Sequence, residues 1–300
     1  MSNRVSNGVT LEIDARASLG EGALWHPAEN KLYWVNIEGK TLHIYDPGNG
    51  ENLSLPVKER IGTVVPVAGG GALVALQSGI YFINTKTGVL QFIANPLPHN
   101  GDIRFNDGKC DPSGRFWVGS MHLQFKEGVA SLYRMNKDLS VTKVLDDVTI
   151  SNGIAWTKDK QTMYYVDSHL RTIDAFDYSD ADGNVRNRRT IVALPEGGGA
   201  PDGITLDANG NIWAAIWGAN AVACFDAKTG DRLKTIEIPA PHVSSCAFGG
   251  KNLDILYITT ARGALTPEQL EAFPLSGGVF SVKPGVQGVP AEFFTGRIHR

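Results

Sequence analysis

Short runs of alternating apolar and polar residues recur along the whole chain, each broken by Gly, Asp, Asn or Pro. Alternation with a period of two marks half-buried β-strands, whereas a helix would repeat every 3.6 residues. The clearest example runs from Pro201 to Ala215. A carboxylate, Asp202, stands directly before Gly203. Ile204–Leu206 follow, then the polar turn 207–211, then the apolar run from Ile212. Two such runs around a tight Asp/Asn/Gly turn predict a β-hairpin. The same grammar opens at Glu21-Gly22, Asp107-Gly108 and Asn152-Gly153. A later copy at Ser245-Cys246 keeps the hairpin but lacks the acid-or-amide then glycine step. The four glycines stand at 22, 108, 153 and 203, so the steps are 86, 45 and 50 residues. The first step is twice the others, and Thr63–Leu76 supplies the hairpin that fills it. The chain thus reads as six units of roughly 40–50 residues, the period of four-stranded propeller blades.

Each unit carries two further strand candidates, such as Thr172–Asp177 with Thr190–Leu194, and Ala221–Asp226 with Leu233–Ile238. For the sixth unit these are Gly278–Val282 and Ala291–Phe294. Val9–Ile13 is suited to closing the ring by adding to the last blade and covering its edge. One short helix is expected from Thr266 to Ala272, with Thr266 as cap and Pro267 in the first turn. The expectation is an all-β, six-bladed β-propeller of four-stranded antiparallel blades with N-terminal strand closure. Residues 1–300 would form one domain, because blades bury their faces only against neighbours.

Composition adds exclusions. The 34 glycines match a chain made of many turns. A net charge of −3 with no basic patch argues against nucleic acid as a partner. No apolar run is long enough to span a bilayer, and the first eight residues lack the apolar core of a secretory signal, so a cytoplasmic location is expected. Cys110, Cys224 and Cys246 show no metal-type spacing and read as small buried thiols. The pattern is silent on oligomeric state.

In a propeller the first strand of every blade lines the central channel, so equivalent positions meet near the axis. Glu21, Asn152 and Asp202 would then bring two carboxylates and an amide oxygen together, with Asp107 to the side. Hard oxygen donors without His or Cys suit Ca2+, Mg2+ or Mn2+, and zinc also accepts carboxylates. So few protein donors leave positions open for water and substrate. The competing reading is that each acid-Gly or Asn-Gly step is merely a turn. Arg104 and Asn106, just before Asp107, add a guanidinium and an amide able to hold a carbonyl or hydroxyl oxygen. Trp217 could form a wall for a sugar ring. His26 reads as structural, and Ser244-Ser245 lacks the glycine frame of a nucleophile elbow.

These residues resemble the regucalcin (senescence marker protein), gluconolactonase and luciferin-regenerating family. The matching segments are Leu19–Trp25, Arg104–Met121, Ile150–Trp156, Tyr165–Ser168, Pro201–Gly203 and Gly277–Phe280. The resemblance implies a single divalent cation on Glu21, Asn152 and Asp202, substrate contacts from Arg104 and Asn106, and Asp202 as general base. It leaves the cation open among Ca2+, Zn2+, Mg2+, Mn2+ and Fe2+, with Ca2+ or Zn2+ favoured. One departure concerns the loop after Met121, where family members carry an acidic residue and this chain has Gln124. Asp107 and Gln124 complete the expected substrate-binding set. The implied function is metal-dependent hydrolysis of a sugar (aldono-)lactone. A calcium-binding regulator without turnover, a propeller serving only as an interaction platform, and a metal-dependent esterase or organophosphate hydrolase remain alternatives.

Overall fold

A computed structural model describes residues 4–6, 8–98 and 101–298. Residues 1–3 and 7 of the N-terminal segment, with 99, 100, 299 and 300, lie outside the described residues. Among the described residues the fold is all-β, with one short α-helix and one 3-10 turn. Four sheets are four-stranded antiparallel meanders, opening at Gly20–His26, Ile61–Pro66, Ile103–Cys110 and Ser151–Trp156. The fifth sheet has nine strands. It contains the meander Ala200–Leu206, Ile212–Trp217, Ala221–Phe225 and Arg232–Glu237. It also contains His242–Gly249, Ile255–Ala261 and Val279–Val282, followed by Val9–Ile13 and Arg4–Ser6. The two parts join through a single partner pair, Trp217 with His242. The arrangement is consistent with a β-propeller.

Burial explains the radial order. The six opening strands are buried along nearly their whole length, whereas fourth strands such as Glu51–Pro56 and Arg232–Glu237 are mostly exposed. Each opening strand touches the next, and His242–Gly249 touches Gly20–His26. The apolar core is divided among the contacts between neighbours. Tyr33 and Ile44 pack with Val64 and Val74, Phe82 with Phe105 and Phe116, and Trp213 with Phe248 and Phe280. Last meets first where Trp25 stacks on Tyr257, with ring centroids 5.4 Å apart. Val9–Ile13 pairs with Val279–Val282, the strand addition expected from the sequence.

The hairpin turns follow the predicted chemistry. Asp207 Oδ1 accepts from the backbone N–H of Asn209 and Asn211, both at 2.9 Å, and its Oδ2 accepts from Trp213 Nε1 at 3.0 Å. Asp111 repeats this with Ser113, Arg115 and Trp117. The helix Pro267–Ala272 forms with Thr266 as cap in a complete capping box. One expected strand is absent. Ala291–Phe294 adds no fourth strand to the last meander, because Val9–Ile13 occupies that edge. The segment instead crosses to the second sheet, where Phe294 N donates to Pro66 O at 2.9 Å.

The acid-Gly and Asn-Gly steps are not turns. They lie inside the opening strands, and each coincides with a shift in strand register: Glu21 to Leu24, Phe105 to Gly108, Ser151 to Ile154 and Pro201 to Ile204. The remaining two opening strands shift at Ile61 to Thr63 and Val243 to Ser245. A β-bulge turns a side chain out of the pleat, so a ring of bulges aims one residue per strand along the axis. Glycine follows at Gly108, Gly153 and Gly203 because other strands approach closely there, and at Gly22 because the backbone takes φ 59°. A Cβ on Gly153 would lie 2.5 Å from Asp202 O and 2.7 Å from Ile204 N, both backbone atoms. Gly153→Ala should therefore lower unfolding stability by about 1–3 kcal/mol through overpacking. Urea unfolding checks this, and an unchanged midpoint would show that the strands can separate freely.

Candidate metal and substrate site

Bulged side chains from four opening strands meet at one end of the channel. Glu21 and Asp202 are each about 5% exposed, and their carboxyl groups are close enough to share a hydrogen bond when one carries a proton. Gly22 N donates to Glu21 Oε2 at 2.9 Å. Asp202 Oδ1 is buried with no hydrogen-bond partner. Asp107 accepts from Gly108 N at 2.7 Å and is also buried.

Three buried acids so close together cannot all ionise easily. Burial first, and the Asp107 charge second, push the Glu21 carboxyl up to about 8. Burial, then Glu21, then Asp107 hold Asp202 well above the usual carboxylate range. Asp107 is raised by burial, with Lys109 and the Gly108 N–H opposing. Lys109 is itself pushed down by burial and donates from Nζ to Ile204 O at 2.7 Å. Arg104 falls to about 10, mainly through burial, and so keeps its charge at neutral pH.

A polar chain ties the site together across three strands. Arg104 Nη1 donates to Phe105 O at 2.9 Å and to Asn106 Oδ1 at 2.6 Å. Asn106 Nδ2 donates to Ser151 O and to Asn152 Oδ1, both at 2.7 Å. Asn152 Nδ2 donates to Ser168 Oγ at 2.7 Å, and Ser168 Oγ donates to Pro201 O at 2.6 Å. The chain thus ends one residue before Asp202. Asn106 spends its whole amide inside the protein, so it acts first as a brace that orients Asn152. Asp167 secures the far side: its carboxylate accepts from Thr149 N and Ile150 N at 2.9 Å and caps the Ser168–Leu170 turn.

Above these residues opens a cavity of about 450 Å³. Glu21, Asn152 and Asp202 line it, with Arg104 and Asn106, so five of the sequence-predicted residues share one space. Trp217 also lines it, stacked on His242 at 4.1 Å between ring centroids. Asp107 and Gln124 do not line it. Asp107 sits deeper, where it acts on Glu21 through its charge. Gln124 is exposed on the loop after His122, and its neighbour Phe125 reaches the cavity instead.

Three contributors escaped the sequence reading: Ser168, Phe125 and Glu38. Ser168 follows a buried strand that ends in Asp167, and an Asp-Ser step at a strand end is a capping signal that could have marked it. Phe125 and Glu38 lie in loops outside the repeat register, where no spacing points to the axis.

The donor set fits a hard cation. Two carboxylates and an amide oxygen surround a place where buried negative charge lacks a counter-charge, and Asp202 Oδ1 is an orphaned acceptor there. Among the described residues no three His, Cys, Asp or Glu side chains form a metal cluster, so a cation held here would need the amide oxygen of Asn152 beside the two carboxylates.

Comparison with known proteins places the chain among relatives. Residues 19–262 match the SMP-30/Gluconolactonase/LRE-like region. A Bacillus subtilis protein provisionally named sugar lactone lactonase YvrE is 37% identical over 283 residues, covering 93% of this chain and 97% of that one. Regucalcin of Danio rerio is 34% identical over 291 residues, covering 96% and 98%. Among solved structures, a luciferin-regenerating enzyme superposes with a TM-score of 0.90 at 32% identity, covering 96% and 99%. Regucalcin from Agrobacterium tumefaciens, described as a calcium-binding protein, gives 0.91 at 28% identity, covering 96% and 97%. With most of its length matched, the chain belongs to the SMP-30/gluconolactonase/LRE-like family.

Proposed function

We propose that this chain hydrolyses a sugar (aldono-)lactone to the aldonic acid, using one divalent cation held by Glu21, Asn152 and Asp202. The observation that carries the reading is the orphaned, buried Asp202 Oδ1 beside Glu21, opening onto a cavity that Arg104 also lines. The lactonase name of the Bacillus relative and the calcium-binding description of the Agrobacterium structure support it. The same reading takes the nine-stranded sheet as two blades joined at Trp217 and His242, making six blades in one domain. The closed ring of contacts among the opening strands favours that count.

The chemistry follows from the residues. A bound divalent cation supplies Lewis acidity and lowers the pKa of water. Asp202, besides holding the cation, accepts the water proton as general base through a lone pair that the cation leaves unused. Arg104 gives Nη1 to Asn106, which leaves its remaining N–H groups for the lactone carbonyl oxygen as negative charge develops. Asn106 keeps Asn152 Oδ1 directed at the site. Trp217 and Phe125 cover the apolar face of the sugar ring and exclude water. A calcium buffer would use more oxygen donors and would have no need of Arg104 beside them.

Chelation of the protein should reduce aldonolactone hydrolysis, read by proton release, to the uncatalysed rate, and adding back Ca2+, Zn2+, Mg2+, Mn2+ or Fe2+ singly should identify the native ion. Full activity after verified demetallation would overturn the mechanism, and metal binding without turnover of any aldonolactone would favour the calcium-regulator alternative. Asp202→Asn should lower kcat by a factor of about 100 or more, and Arg104→Ala should lower kcat as well as raise KM, because its N–H groups serve the developing negative charge. Normal turnover in Asp202→Asn would require another base.

Without metal, the acids also predict a pH dependence. Glu21 binds its proton more tightly in the folded chain, with its pKa raised from 4.5 to about 8. Between those values the folded state holds more protons than the unfolded one, so stability is greatest at the acid end and falls as pH rises through about 8. The melting temperature of demetallated protein should therefore drop between pH 5.5 and 8.5, and saturating cation should flatten the slope. A metal-free protein that gains stability over this range would contradict the raised acids.

A further inference from the structure

Glu38 lies in the turn between Lys31–Asn36 and Thr41–Asp46 and lines the cavity. Its carboxylate is fixed by Arg60, whose Nε donates to Oε1 at 2.8 Å and to Oε2 at 3.0 Å. Arg60 Nη1 donates to Gln77 Oε1 at 3.2 Å, and Gln77 Nε2 donates to Gly101 O at 3.1 Å. Three loops from two sheets and the strand leading to Arg104 are thus spent on orienting one carboxylate. Side-chain exposure is 38% for Glu38 and 33% for Arg60, so the pair is open to a ligand on one side. An exposed ion pair of this kind adds little stability. Glu38 shares the cavity wall with Arg104 and attracts its guanidinium.

A carboxylate has about four acceptor positions and no donor. Arg60 occupies one side, and the rest are available to hydroxyl donors in the cavity. Met121, Phe125, Ile150 and Trp217 give the wall an apolar surface beside its polar groups. A ring with C–H groups on one face and hydroxyls along one edge satisfies both surfaces. Gln124, at the position expected to read the substrate, is outside the cavity.

We propose that Glu38, held by Arg60, is the specificity-determining residue of this cavity, selecting uncharged polyhydroxylated lactones. The proposal rests on the lactonase reading. Two exclusions follow. A lactone without hydroxyls leaves unused the acceptor positions that Arg60 does not fill, and so forgoes the hydrogen bonds by which a hydroxyl-reading site selects its substrate. A lactone carrying phosphate or carboxylate meets like charge.

The test compares metal-loaded wild type with Glu38→Gln, Arg60→Ala and Arg60→Lys on an aldonolactone, on unsubstituted δ-valerolactone and on a phosphorylated aldonolactone. In Glu38→Gln, KM for the aldonolactone should rise about tenfold, as expected for loss of a hydrogen bond to a charged group. Its kcat should change little, and discrimination against the phosphorylated lactone should shrink. Arg60→Ala should reproduce part of the KM effect and Arg60→Lys should restore some of it. Equal KM changes on the hydroxylated and unsubstituted lactones, or none on either, would overturn the role of Glu38. Calorimetric binding of a cyclic polyol ether, which carries ring hydroxyls without an ester, separates this from the lactonase reading. If wild type turns over no lactone but binds the polyol more tightly than Glu38→Gln, the lactonase reading fails and hydroxyl recognition by Glu38 stands. Equal binding by the two proteins, or no binding by wild type, overturns it.

Discussion

The structure is organised around negative charge buried at one end of a channel. Glu21, Asp107 and Asp202 are nearly inaccessible; the Asp107 charge raises the proton affinity of Glu21, and Glu21 and Asp107 together raise that of Asp202. Such a cluster is costly unless a counter-charge or protons compensate it. Lys109 and Arg104 supply part of that compensation. Lys109 is shared with the Ile204 carbonyl, and Arg104 is turned through Asn106 toward Asn152. The orphaned Asp202 Oδ1 marks where compensation is missing. A divalent cation there would relieve the repulsion and draw the chemistry to the same point.

That arrangement depends on backbone geometry more than on any one side chain. Four different strands must each turn one residue to the axis while staying paired to their neighbours. Register shifts do this, and at Gly153 and Gly203 the glycine after the turned residue lets the next strand approach. Gly153 against Asp202 O and Gly203 against Ser245 Cα express that demand between neighbouring opening strands. Sheets bury their apolar faces only against neighbours, so a break at one contact would loosen the ring that holds the acids together.

Much of this was legible in the chain. The repeat of acid or amide before glycine located Glu21, Asn152 and Asp202, because one backbone constraint recurs at one place in each unit. The Asp207 turn and the Thr266 cap were legible for the same reason: their hydrogen bonds are local. Contacts set by distant segments were not. Ala291–Phe294 carries a strand-like pattern, but the edge it would pair with belongs to Val9–Ile13, more than 270 residues earlier. Gln124 and Phe125 are adjacent, and which one enters the cavity depends on a loop in which Phe125 takes φ 56°. Glu38 depends on Arg60 and Gln77, partners in another unit that no spacing reveals.

The account stands on a cation replacing protons at the buried acids. Calorimetric titration of demetallated protein with the native cation near pH 7, repeated in buffers of different ionisation enthalpy, measures this directly. One cation should bind per chain with release of protons, because Glu21, raised to about 8, and Asp202, raised well above the usual carboxylate range, both hold protons more tightly without metal. The heat should then vary with buffer, and Asp202→Asn should abolish the signal. Binding without proton release, or binding unchanged in Asp202→Asn, would contradict a site built from these acids.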